Sequence, residues 1–191
     1  MKGLILSGGQ SQRMGQPKAL LSYHGQPQIF HLAQLLAPFC ETVYLSCKPE
    51  QQSFFAEAGW QLPVITDDPA FGNIGPLSGL LSAFQVQQTT WLVVGCDYPF
   101  LTAADLQLLI LQRDPDCLAT VFRHPETGIA EPLTGIYEPA AGGALLEWLG
   151  AGNQSLRWFL EKYETRFVAP TFPDHLRSVD TYEDYLKNKS G

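Results

Sequence analysis

Positive charge is scarce in this sequence. Its 191 residues carry 12 Lys and Arg against 19 Asp and Glu, a net charge of −7. A surface of that sign repels nucleic acid and anionic membranes at long range, so neither is expected as a partner. Long apolar runs are also missing. No stretch of about 18 apolar residues offers a membrane span. Met1-Lys2-Gly3 leads straight into a short apolar strand, without the longer apolar stretch and cleavage site of a signal peptide. A cytoplasmic protein is therefore expected. Cys40, Cys47, Cys96 and Cys117 form no CxxC pair and no zinc-finger spacing with histidine, which points to reduced thiols. His24, His31, His124 and His175 are scattered and share no ligand spacing. Low-complexity segments, internal repeats and linkers are absent as well.

What is present is a globular composition, 45% apolar and 16% charged. A chain of this length fits one domain spanning residues 1–191 and buries roughly 70% of its unfolded surface. Apolar runs at Gly3–Leu6, Thr42–Ser46, Leu62–Thr66 and Trp91–Gly95 read as strands, as do Leu118–Phe122, Leu133–Tyr137 and Arg166–Val168. Helical patterns fall at Pro27–Phe39, Gln51–Ala58, Pro76–Phe84, Ala103–Gln112, Ala141–Leu149, Gln154–Lys162 and Tyr182–Lys187. Alternating strands and helices imply an α/β fold, a mostly parallel sheet with helices on both faces. Ligands in that architecture bind beyond the carboxyl ends of the strands. Gly8-Gly9, Asp67 and Asp97 each follow an expected strand, so they belong on one edge of the sheet.

The cations of the N-terminal third are Lys2, Arg13 and Lys18; none other precedes Lys48, and the first acid is Glu41. Arg13 and Lys18 lie in Leu6-Ser7-Gly8-Gly9-Gln10-Ser11-Gln12-Arg13-Met14-Gly15-Gln16-Pro17-Lys18. Glycines let a backbone approach a phosphate, and successive N–H groups in such a turn form an anion-binding concavity. Arg13 can fork onto a phosphate, while Lys18 supplies a mobile point charge. Gly8-Gly9 alone favours an ordinary strand-to-helix turn; the whole string with Arg13, Gly15 and Lys18 favours phosphate binding instead. The segment is neither GxxxxGK[ST] nor GxGxxG, so the usual mononucleotide and dinucleotide fingerprints are absent. Asp97, at the end of an apolar strand, can hold Mg²⁺ or cap a helix. Asp67-Asp68 can accept from a base or ribose, or close a turn before Pro69. Gly75-Pro76-Leu77-Ser78-Gly79 reads as a Pro-initiated helix whose glycines either pack or line a pocket.

The string LSGGQSQRMGQPKAL resembles the LAGGxSxRMGxxKxL signature of MobA-like nucleotidyltransferases, molybdenum cofactor guanylyltransferases among them. Gly75–Gly79, Cys96-Asp97-Tyr98-Pro99-Phe100, Glu131-Pro132-Leu133 and Ser178-Val179-Asp180-Thr181 extend the resemblance along nearly the whole chain. Departures are Ser7 for alanine, and Pro17, where aspartate is frequent in the guanylyltransferases and proline in related cytidylyltransferases. Ser178, Asp180 and Tyr182 depart from the family's closing Asn-x-Asn-Thr-Pro-Glu stretch.

The resemblance implies a Rossmann-like three-layer sandwich of the nucleotide-diphospho-sugar transferase type. It implies transfer of GMP from GTP to the phosphate of molybdopterin-type cofactor, with pyrophosphate released. Arg13, Lys18 and Asp97 would be catalytic, with Asp97 the Mg²⁺ ligand. Leu6, Ser7, Gly8, Gly9, Lys18, Asp67, Gly75, Gly79 and Asp97 would contact nucleotide. Arg123 or Arg157 is expected to meet the anionic acceptor. A monomer or weak oligomer, with other cofactor-biosynthesis proteins as further partners, is compatible with this reading. A CTP-using cytidylyltransferase and a non-catalytic GTP-binding module stay open as alternatives.

Overall fold

The computed structural model describes residues 1–7, 18–179 and 181–188. Gly8, Gly9, Arg13 and Pro17 from the glycine-rich segment, and Asp180 from the closing motif, lie outside the described residues. The strands are Lys2–Leu6 (β1), Val43–Cys47 (β2), Val64–Thr66 (β3), Trp91–Gly95 (β4), Ala119–Arg123 (β5), Ala130–Tyr137 (β6) and Thr165–Val168 (β7). The helices are Gln28–Leu36 (α1), Gln52–Glu57 (α2), Pro76–Val86 (α3), Ala103–Leu111 (α4), Pro139–Gly150 (α5), Leu156–Lys162 (α6) and Tyr182–Asn188 (α7). One sheet has the order β3-β2-β1-β4-β6-β5-β7. Every neighbouring pair is parallel except those made by β6, which runs antiparallel to β4 and β5.

The period-2 geometry of strands divides the core into two layers. Ile5, Leu92 and Val94 face one cluster with Ile29, Leu32, Phe55, Leu106 and Leu109 from α1, α2 and α4. Leu4, Leu6, Trp91 and Val93 face the other, with Leu80 and Phe84 from α3, Leu145 from α5 and Phe159 from α6. β1 and β4 thus read as continuous apolar runs because both their faces are covered. Full burial of such a side chain stabilises the fold by about 1.5–3 kcal/mol. The three-layer α/β sandwich expected from the sequence is the one observed.

Local chemistry sets the helix starts near the functional edge. Thr102 and Asp105 form a reciprocal capping box at α4, and Ser155 caps α6. Gly75 precedes Pro76 with φ of +68°, a left-handed conformation that favours glycine, so α3 leaves the loop at a sharp angle. At the opposite edge, Arg113 forks onto Glu138 at 2.6 and 2.8 Å while Thr90 donates to the same carboxylate, tying the end of α4 to β4 and β6.

Candidate active site

Strand order reverses at β1: the chain proceeds outward to β2 and β3, then returns to β4 on the other side. A crevice forms at such a switch point. Leu6 pairs in register with Gly95, and the Cys96 N–H donates to the Leu6 carbonyl at 3.1 Å. The turn after β1 and the Cys96-Asp97 step therefore leave the sheet side by side, about 4.8 Å apart by strand spacing. Ser7 is fixed at the root of that turn. Its N–H and its hydroxyl both donate to the Ser46 carbonyl, at 3.0 and 2.6 Å. Leu6 and Ser7 are both buried, Leu6 within the α3-side core.

Lys18 and Asp97 meet across Val179. Lys18 Nζ donates to the Val179 carbonyl at 3.4 Å, and the Val179 N–H donates to the Asp97 carbonyl at 2.9 Å. Both charges also bear on buried Cys96: burial pushes its thiol up to about 12, Asp97 adds to the rise and Lys18 opposes it. Val179 belongs to a C-terminal clasp with Leu21, Tyr23 and Tyr185, against which Phe100 packs. Tyr23 and Tyr185 make an edge-to-face contact at 5.1 Å. His175 and Asp105, 2.9 Å apart, hold the same segment to the start of α4. Sequence motifs single out Lys18, Asp97 and Val179 but not their pairing, since these hydrogen bonds join residues 70 to 161 positions apart.

Among the described residues no group of three or more His, Cys, Asp or Glu side chains gathers as a metal cage. Magnesium accepts one or two carboxylates when phosphate oxygens and water complete its shell. Asp97 suits that demand. A Cβ on Gly95 would stand 2.5 Å from Asp97 Oδ1, so the bare glycine makes room for the carboxylate.

On the β2–β3 side, Asp67 follows β3 and lines a cavity of about 230 Å³ with Lys48, Glu50 and Asn73. Ser46 Oγ donates to its Oδ1 at 3.3 Å and Ser78 Oγ to its Oδ2 at 2.7 Å. Burial raises the Asp67 carboxyl above the usual aspartate range, and the two hydroxyls pull it back. Gly79 turns its bare Cα toward the sheet: a Cβ there would lie 2.4 Å from Ser46 Oγ and 2.9 Å from Leu6 Cδ2. Asp68 caps the 3-10 turn Pro69–Phe71 by accepting from the Ala70 N–H at 2.8 Å.

On the β6 side, the Tyr98 hydroxyl donates to Glu131 Oε2 at 2.9 Å, joining the loop after β4 to the start of β6. Burial raises the Glu131 carboxyl, opposed by that hydrogen bond and by Arg157. Arg157 donates to the Ala130 carbonyl at 3.2 Å and borders a groove of about 270 Å³ with Pro76, Leu77, Pro132 and Gln154. Arg123 is engaged elsewhere, paired with Glu161 and stacked 3.4 Å over Phe167. A larger cavity, about 580 Å³, continues from Gln154 and Ser155 toward Trp148 and Trp158. His24 and His31 stack at 3.9 Å, with His24 Nε2 2.8 Å from the Pro99 carbonyl. His124 contacts the backbone of its own turn, Glu126 and Thr127.

A family model, the MobA-like NTP transferase domain, matches residues 3–167. A probable molybdenum cofactor guanylyltransferase of Synechococcus elongatus is 32% identical over 186 residues, covering 95% of this chain and 94% of that protein. A molybdenum cofactor biosynthesis bifunctional protein of Synechocystis is 32% identical over 190 residues; the chain spans about half of its length, 52%. Molybdopterin-guanine dinucleotide biosynthesis protein A of Archaeoglobus fulgidus has the same fold, with a TM-score of 0.75 at 21% identity over 99% of this chain and 97% of that one. With the glycine-rich signature, the reversal of strand order at β1 and the family match in agreement, the chain belongs to the MobA-like NTP transferases, a family of nucleotidyltransferase enzymes.

Proposed function

We propose that this chain is a guanylyltransferase that joins GMP from GTP to the terminal phosphate of a molybdopterin-type cofactor, with Mg²⁺ as the metal. The observation that carries the reading is the convergence of Lys18 and Asp97 on Val179 beside the root of the glycine-rich turn. The names of the guanylyltransferase relatives support the choice of base and acceptor.

In this reading the Gly8-Gly9 turn and Arg13 hold the β- and γ-phosphates. An oxygen of the acceptor phosphate attacks the α-phosphorus, the bond to the bridging oxygen breaks, and pyrophosphate leaves. The attacking oxygen is already ionised at neutral pH, so no general base is required. What the chain contributes is alignment and charge neutralisation. Lys18 neutralises charge growing at the α-phosphate, and Asp97 would hold the metal. A magnesium ion, when bound, would supply Lewis-acid neutralisation of the phosphate oxygens. Asp67 holds the nucleoside from the β3 side. Arg157, beside the 270 Å³ groove, suits the anionic acceptor better than Arg123, whose guanidinium is already paired and stacked.

A thermal-shift comparison of the four nucleoside triphosphates with Mg²⁺ tests the base. A ligand bound only by the folded state raises the melting point by mass action. GTP at 100 times its dissociation constant adds about 2.7 kcal/mol of stability, and the other three add less. A larger shift with CTP points instead to the cytidylyltransferase. A GTP shift without pyrophosphate release on any pterin acceptor points to a binding module.

A further inference from the structure

A chain of hydrogen bonds runs from the root of the glycine-rich turn to the cavity beyond β3. The Ser7 N–H and hydroxyl both donate to the Ser46 carbonyl; the Ser46 hydroxyl donates to Asp67 Oδ1; the Ser78 hydroxyl donates to Asp67 Oδ2. Ser7, Ser46 and Ser78 are at most 3% exposed. Packing preserves the arrangement. Gly79 has no side chain to displace Ser46 Oγ. Ser82, one turn further along α3, donates to the Ser78 carbonyl and accepts from the Asp68 N–H, both at 2.8 Å. Gly75, Ser78, Gly79 and Ser82 thus form an i, i+3, i+4, i+7 face against the ends of β2 and β3.

Two hydroxyls, one on each oxygen, are more than an ordinary turn aspartate needs. Neighbouring Asp68 caps its turn with a single carboxylate oxygen. With one site on each Asp67 oxygen engaged by a serine, each oxygen keeps a further acceptor site, and the residue lines the cavity beyond β3. Guanine presents two parallel donors, N1–H and the 2-amino N–H. Asp67 also lies three strands from Asp97, about 14 Å by strand spacing. That reaches past the ribose of a nucleotide whose α-phosphate lies near Asp97, to the edge of its base.

We propose that Ser78, supported by Ser46, is a specificity-determining positioning residue that locks the Asp67 carboxylate so that it reads the N1–H and 2-amino edge of guanine. The proposal rests on the GTP-dependent reading above. Ser78 does not touch the reacting atoms; it acts through Asp67. Without its hydroxyl, the half-buried carboxylate turns about its own bond and the paired acceptors no longer face the base.

Dissociation constants for GTP, ITP and 2′-deoxy-GTP test this in wild type, Ser78→Ala, Ser46→Ala and Asp67→Asn. ITP lacks the 2-amino group; 2′-deoxy-GTP lacks a ribose hydroxyl. Melting without nucleotide identifies any variant that fails to fold, and Ser46→Ala carries the test if Ser78→Ala is that variant. Wild type should prefer GTP to ITP. Asp67→Asn should lose that preference, and Ser78→Ala should lower it about tenfold, the size of one hydrogen bond to a charged group. Ser46→Ala, at the longer contact, should lower it less. The ratio of GTP to 2′-deoxy-GTP should hold throughout. If Asp67→Asn loses the GTP preference while Ser78→Ala and Ser46→Ala keep it, the positioning role is wrong. If Asp67→Asn keeps it, or if 2′-deoxy-GTP rather than ITP responds, Asp67 does not read the base. Failure of wild type to bind GTP at all counts against the guanylyltransferase reading itself.

Discussion

Asp97→Ala is expected to lower metal-dependent turnover by about 10³-fold or more, with no recovery at high Mg²⁺. The size follows from the role. A metal at a transferring phosphoryl group contributes several kcal/mol of charge stabilisation, and each 1.36 kcal/mol is tenfold in rate. In that proposed role the carboxylate would draw on the register of β1 with β4, which sets Asp97 beside the turn after β1, and on the space over Gly95. Its backbone is held separately, because the Asp97 carbonyl accepts from the Val179 N–H. Removing the side chain therefore leaves the loop tethered, and the loss is one of chemistry rather than of folding. Pyrophosphate release followed across a magnesium titration checks this. Turnover within tenfold of wild type removes Asp97 as the metal ligand.

Lys18→Ala is expected to lower kcat by about 10²–10³-fold, the cost of removing one preorganised donor from a transition state. KM for GTP should change by less than about threefold. Lys18 in the free protein already has a partner, the Val179 carbonyl at 3.4 Å. Binding GTP exchanges one contact for another, so little ground-state affinity is gained. The contact strengthens only as charge builds on the α-phosphate, and interactions of that kind act on kcat. Lys18→Arg should rescue poorly, because a planar fork does not substitute for a compact ammonium at this position. Steady-state kinetics with both variants is the check. Equal losses in kcat and in GTP affinity contradict a transition-state role.

How far these residues could be found from sequence depends on how local their signals are. β4 is legible to the residue, since Trp91–Gly95 is a continuous apolar run. Asp67 and Asp97 are legible as strand-end carboxylates once the sheet is taken as parallel. β6 is legible only in part. The sequence pattern starts it at Leu133, whereas the strand begins at Ala130 and carries Pro132 past a register shift opposite Val121 and Phe122. Proline demotes a strand in a sequence reading, and an irregularity in pairing is where a strand tolerates it. The antiparallel direction of β6 leaves no local trace at all. Ser78 and Ser82 had a signal, small hydroxyl residues at helical spacing on an otherwise apolar helix, yet that signal is meaningful only once Asp67 is seen opposite. Val179 had a signal in the closing Ser178–Thr181 stretch, but nothing local pairs it with Lys18, which it meets across 161 residues. Arg13 and the Gly8-Gly9 turn lie outside the described residues, so their phosphate role rests on the sequence alone.

The most direct measurement is a crystal structure of the protein with Mg²⁺ and a non-hydrolysable GTP analogue. It is predicted to show Lys18 Nζ and the metal held by Asp97 on the same triphosphate, Arg13 on its distal phosphates, and the guanine edge at Asp67. An analogue seated away from the β1–β4 crevice, or one touching Lys18 but more than a metal bridge from Asp97, contradicts the account.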